Sequence, residues 1–90
     1  FRLAQNDPNP FNPTTTLEYD LPKSAHTVLT VYDALGRQVK TLVDARQTAG
    51  FYKVSWNGLD QRGVPVGSGV YFYTLTAGEF ATTKKMTLLK

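Results

Sequence analysis

Ninety residues bound the chain to one domain with one core, enough to bury roughly 60 to 65% of the surface its unfolded form would expose. With 41% hydrophobic and 12% aromatic residues and no cysteine, the composition excludes a disordered segment, a disulfide scaffold and a thiolate metal site. The net charge of +3 is too small for the basic stripe of a nucleic-acid binder, and no apolar run approaches the ~18 to 20 residues of a membrane-spanning helix, so neither is an expected partner.

The location of the charge says more than its size. Residues 1–79 carry seven basic side chains (Arg2, Lys23, Arg37, Lys40, Arg46, Lys53, Arg62) and seven acids (Asp7, Glu18, Asp20, Asp33, Asp44, Asp60, Glu79), which cancel. The whole excess lies in Lys84, Lys85 and Lys90. The chain has no initiator methionine, its only Met being Met86; it reads as a processed or excised part of a larger protein.

No stretch of eleven residues shows the 3.6-residue apolar period of a helix; short β-branched and aromatic runs alternate with Gly, Pro and Asx instead. A short strand is predicted near Phe1–Ala4. The segment "NDPNPFNP" at 6–13 carries three prolines, which supply no backbone donor, so an extended lead-in rather than a ladder strand is expected, with Phe11 plugging the edge of the core. "TTTLEYDL" at 14–21 alternates Leu17, Tyr19 and Leu21 against Glu18 and Asp20, a half-buried strand. His26 falls in a turn-like "KSAHT". "TVLTVYD" at 27–33 is the next strand, Asp33–Gly36 a turn, and "RQVKTLV" at 37–43 the return. Val39 and Val43 share one parity and Leu42 the other, which points to a bulge.

"FYKVSW" at 51–56 alternates Tyr52, Val54 and Trp56 inward. The loop 57–69 contains four glycines. "VYFYTLT" at 70–76 is apolar on both faces, as a central strand would be, with Tyr71, Tyr73 and Leu75 inward and Phe72 on the other face. After a turn at Ala77–Gly78, "FATTKKMTLLK" closes the chain as a strand, anchored by Met86 and Leu88 or by Leu89, with Lys84 and Lys85 on opposite faces. Six clear strands and a short seventh, joined by short turns, predict a small immunoglobulin-like antiparallel β-sandwich.

Little points to catalysis. His26 is the only histidine, no nucleophile elbow is present, and the acids fall singly. "NGLDQRG" lacks the spaced carboxylates of a calcium loop, whereas the Asx-rich "NDPNPFN" could bind calcium through carbonyls, although such Asx residues more often close turns. Neither enzymatic activity nor a cofactor or metal is expected. Trp56, Tyr71, Phe72 and Tyr73 could form a carbohydrate platform, but their alternation with inward positions is that of a core.

Four blocks, "NPFNPTTTLEYDLP", "VYDALGRQVKTLVD", "AGFYKVSWNGLDQRGVPVGSGVYFYTLTAGEF" and "TKKMTLLK", together resemble the type A C-terminal sorting domain of type IX (Por) secretion, from Asn9 to Lys90. The Ig-like domain of the flagellar hook-capping protein shares the W-x-G…G-x-x-V-x-x-G-x-Y pattern but lacks the terminal lysine strand, and ranks second. The sorting resemblance implies that residues 1–90 are one C-terminal sorting domain, a lead-in over 1–13 and a sandwich over 14–90. It implies a non-catalytic signal that takes a larger exported protein from the periplasm through the outer-membrane type IX translocon, to the cell surface or to release. It further implies a sortase-like peptidase as a processing partner and attachment of the cargo to surface lipopolysaccharide. The family's glycine-tyrosine block falls on Gly69, Val70 and Tyr71, its lysine strand on Lys84, Lys85, Met86, Leu88 and Lys90, and its tryptophan turn on Trp56, Asn57 and Gly58, where many members carry Asp in place of Asn57. The competing expectation is a carbohydrate-binding or spacer module of a secreted polysaccharide hydrolase. An exposed edge at the last strand also allows weak dimers.

Overall fold

In a computed structural model, which describes residues Phe1–Lys90, the chain forms seven strands and no helix: β1 (Arg2–Leu3), β2 (Thr15–Leu21), β3 (Ala25–Asp33), β4 (Gln38–Gln47), β5 (Gly50–Trp56), β6 (Gly69–Ala77) and β7 (Phe80–Leu88). They make two antiparallel sheets, β1-β2-β5 and β4-β3-β6-β7. The expected Ig-like sandwich is the fold.

Period-2 alternation sets which side chains form the core. Leu17, Tyr19 and Leu21 of β2 face Leu29 and Val31 of β3, Tyr71, Tyr73 and Leu75 of β6, and Met86 and Leu88 of β7 in one core of fifteen buried residues. Each of these large apolar side chains contributes about 1.5 to 3 kcal/mol by leaving water. Phe72 takes the opposite face, as its parity requires, but is half-buried rather than free.

Two elements run further than their residues suggest. β3 begins at Ala25, so His26 lies in a strand, not a turn, with Nε2 2.7 Å from Asp44 Oδ1. β4 continues through Asp44–Gln47, whose polar side chains read as loop; pairing with Ala25–Val28 overrides that local preference. The bulge expected in this strand is present twice. The register slips between Leu29 and Thr30 and again between Val31 and Tyr32, leaving Leu42 and Val39 unpaired. Those slips let Val39, Leu42 and Val43 all pack against the core despite mixed parity.

Two turns repeat one design, Asp-x-x-Gly-x. In Asp33–Arg37 the Asp33 carboxylate accepts the amides of Leu35 (3.0 Å) and Arg37 (2.9 Å), and in Asp60–Val64 Asp60 accepts those of Arg62 (3.0 Å) and Val64 (2.9 Å). Gly36 and Gly63 each adopt φ +83°, the left-handed region that favours glycine. Both carboxyls are held below the ordinary range, Asp33 first by the Arg37 amide and Asp60 first by the Val64 amide. The second turn leans on β4: the Gln61 amide donates to Val39 O (2.9 Å) and its side-chain oxygen accepts the Thr41 amide (3.0 Å), so the long loop closes that stretch of sheet edge.

Candidate functional site in the final strand

The residues singled out by sequence converge on β6 and β7. Gly69 pairs with Leu88, Tyr71 with Met86, Phe72 with Lys85 and Tyr73 with Lys84. Met86 and Leu88 are fully buried and anchor the strand, while Leu89 is 52% exposed. Lys84 has the inward parity and is half-buried at the rim; Lys85, one position on, is exposed on the outer face. Neither takes part in the ion pairs Arg2–Asp20, Arg37–Asp33 and Arg62–Asp60, nor in the hydrogen bond between His26 and Asp44. Lys90 lies beyond the strand, its amide bonded to Ser68 Oγ at 2.9 Å.

A chain of three aromatic rings runs from β6 through β5 to the lead-in. Tyr71 meets Trp56 edge-on (5.5 Å between centroids), and Trp56 meets Phe11 at 5.7 Å. The Trp56 indole donates to Leu59 O (2.9 Å) and the Tyr71 hydroxyl to Gly67 O (2.7 Å), so each ring's polar tip is satisfied. At Gly58, φ is +75° and an added Cβ would lie 3.2 Å from the Pro13 carbonyl oxygen and 3.8 Å from Leu88 Cδ2. The tryptophan turn thus favours glycine for its left-handed backbone and for the close approach of the lead-in carbonyl, while Leu88 sits at ordinary contact distance.

The lead-in has a function its composition conceals. It stitches the two sheets together. On one side Asp7 and Thr16 exchange backbone bonds of 3.1 and 3.0 Å. On the other, the Phe11 amide donates to Thr87 O (3.0 Å), the Leu89 amide donates to Phe11 O (2.9 Å), Asn9 Oδ1 accepts the Thr87 amide (3.0 Å) and the Gln5 side chain donates to Lys85 O (2.7 Å). Phe11 plugs the core edge, 2% exposed. The segment is no ladder strand, as three prolines dictate, yet it makes isolated bridges to both sheets. Below it, buried Asn6 bonds Thr15 Oγ1 (3.0 Å) and Pro8 O (3.1 Å) through its side chain. The Tyr73 hydroxyl accepts the Asn6 amide (2.8 Å) and donates to Ala4 O (2.8 Å). Burial pushes the Tyr73 phenol up to about 12, against the smaller opposing effect of the Asn6 amide. Gln5, Asn9 and Gln61 are contacts that sequence reasoning missed.

The family model of the FlgD Ig-like domain matches residues 9–79, ending one residue before β7 begins. No curated protein matches the chain. Among solved structures, the chain is similar to PorZ, described as an essential bacterial surface component of the type IX secretion system of Porphyromonas gingivalis, with a TM-score of 0.68 and 20% identity over 96% of this chain and 11% of that one. Dimeric latent PorU from Porphyromonas gingivalis superimposes with a TM-score of 0.73 and 21% identity over 94% of this chain and 9% of that one. FlgD from P. aeruginosa gives a TM-score of 0.64 and 23% identity over 84% of this chain and 64% of that one. The chain therefore spans about a tenth of the two type IX proteins and under two thirds of FlgD. At these identities the likeness is one of fold.

Proposed function

We propose, from the premise that the chain belongs to the FlgD Ig-like domain family, that it is a non-catalytic Ig-like module serving as the C-terminal sorting signal of a larger exported protein. The outer-membrane type IX translocon reads it in the periplasm; a sortase-like peptidase then processes the cargo, which is released or attached to surface lipopolysaccharide.

One observation carries this reading. The family match stops at residue 79, and the next residue opens a fully formed strand, locked by Met86 and Leu88; this strand and Lys90 just beyond it hold the domain's entire positive excess. The order of this strand is over-determined by the burial of Met86 and Leu88 and by its bonds to the lead-in. The similarity to PorZ and PorU structures over nearly the whole chain supports the same reading.

The test fuses residues 1–90 to the C-terminus of a periplasmic reporter in a host with the type IX machinery. Export to the surface or medium is expected, and retention in the periplasm would refute the sorting role. Replacing Lys84, Lys85 and Lys90 together by Gln reduces export if charge is read; unchanged export removes the lysines from the signal. The family match itself favours a second reading, an Ig-like scaffold or spacer module as in FlgD. A spacer works at any position in its parent, whereas the sorting module acts only when last.

A further inference from the structure

We propose that the uncovered stretch of the β7 edge, Ala81 to Lys85, is a docking site for an extended acidic peptide that adds as a fifth strand to the β4-β3-β6-β7 sheet. The proposal rests on β7 being the recognised element and adds the chemistry of what binds it.

Backbone direction defines the window. The amide and carbonyl of Thr87 both point away from β6, since Asn9 and Phe11 take them. Along an antiparallel strand such groups alternate sides, so Lys85, Thr83 and Ala81 present theirs to the same outer edge. Gln5 takes the Lys85 carbonyl. What remains is the Lys85 amide together with both groups of Thr83 and of Ala81, an unpaired row spanning about 14 Å at ~3.4 Å per residue. The lead-in fences this row at the Lys85 end, which fixes where an added strand must stop. Across the sheet, Gln61 covers β4 at Val39 and Thr41.

Charge selects the occupant. Lys84 and Lys85 sit at the fenced end, one on each face, and no carboxylate of the chain pairs with either. An added strand also alternates its side chains, so two consecutive acidic residues opposite this pair would place one carboxylate on each face. At the other end the Phe1 and Phe80 rings stack at 5.3 Å with Phe1 36% exposed, a resting surface for an apolar residue. Backbone pairing supplies the affinity and the two lysines the register, which is the division of labour in strand-addition recognition.

The experiment titrates isotope-labelled protein (residues 1–90) with the synthetic peptide Val-Thr-Val-Asp-Glu-Val, blocked at both ends, and with versions carrying Asn-Gln or Lys-Lys in place of Asp-Glu. The expected result is slowed exchange and shifted resonances at the amides of Ala81, Thr83 and Lys85. The Asn-Gln peptide should bind about three- to tenfold more weakly, the range two exposed ion pairs supply. Thr83→Pro removes one outward donor without touching a backbone bond to β6, as proline on a strand edge can, giving up there only the 2.8 Å hydroxyl bond between Thr83 and Thr74, and should abolish binding. Should that variant unfold, the double variant Lys84→Glu/Lys85→Glu decides instead, by reversing the preference from the Asp-Glu to the Lys-Lys peptide. Perturbations at another edge, a preference indifferent to the charge swap, or edge protection that grows with protein concentration in the absence of peptide (a second copy as occupant) would each overturn the proposal. Peptide binding with no export of the reporter would refute the sorting role and leave the docking site standing; export without peptide binding would do the reverse.

Discussion

Phe11 and Thr87, seventy-six positions apart, are joined by a 3.0 Å backbone hydrogen bond from the Phe11 amide to the Thr87 carbonyl. The bond ties the proline-rich lead-in to the strand that carries Lys84 and Lys85, and Phe11 is simultaneously the outer member of the chain of ring contacts through Trp56 to Tyr71.

Phe11→Ala therefore removes a buried ring and loosens the cap together. A loss of about 3 to 5 kcal/mol is expected, the range for truncating a buried Phe, read as a lower denaturant midpoint. Amide exchange should accelerate first at Thr87 and Leu89, whose bonds run to the lead-in. Uniform acceleration over both sheets would show that the lead-in is not a separable cap.

Tyr73 contributes to the alkaline limit. Its folded value, about 12, lies above the ordinary tyrosine value near 10. A raised folded value means that its contribution is complete below about pH 10 and is lost as pH rises from 10 towards 12. Burial raises Tyr19 and Tyr71 as well, so the decline is shared. Tyr73→Phe should lower stability near neutrality by about 1 to 3 kcal/mol, because the Asn6 amide and Ala4 carbonyl lose their partner. It should also flatten the fall above pH 10. Thermal midpoints of both proteins from pH 7 to 12 check this.

The twin Asp turns contribute to stability at acid pH. Both carboxyls are depressed in the fold, so their contribution is present above the ordinary Asp value near 3.9 and disappears as pH falls through the lower folded values. The pair Asp33→Asn and Asp60→Asn should leave Tm less sensitive to pH between 5 and 2 than in the parent. An unchanged acid slope would assign acid unfolding to other carboxylates.

Glycine substitutions separate strain from contact. Gly36→Ala meets open space but a φ of +83°, so it should cost only the left-handed penalty of about 1 to 2 kcal/mol. Gly58→Ala adds a 3.2 Å approach to the Pro13 carbonyl and should cost more. Equal losses in denaturant unfolding would mean that the lead-in yields freely.

Local pattern made much of this legible. The alternation of Leu17, Tyr19 and Leu21, and the parity that sent Tyr71 and Tyr73 inward, are properties of a strand by itself, and burial followed them. The mixed parity of Val39, Leu42 and Val43 announced its bulge. What escaped was set by partners far along the chain. Asp44–Gln47 is polar and becomes a strand only because Ala25–Val28 lies alongside. Asn9 and Gln5 are ordinary turn residues until β7 arrives beside them. The second Asp-x-x-Gly-x turn had a local signal, its identity in spacing to the first, but it lay hidden among the glycines of the long loop. The choice of Leu88 over Leu89 as anchor likewise needed the register with Gly69.

The bridge between Phe11 and Leu88 is parallel, in a fold whose every ladder is antiparallel. That orientation matters when force is applied. Traction from the upstream side of Phe11 against a grip on the far end of β7 loads the two backbone bonds of the bridge lengthwise and together, rather than peeling them one after another. In that geometry the two bonds share a pull along the chain axis and are expected to part together. Losing them would unpair the Thr87 carbonyl and the Leu89 amide without removing any bond of the ladders between β3, β6 and β7.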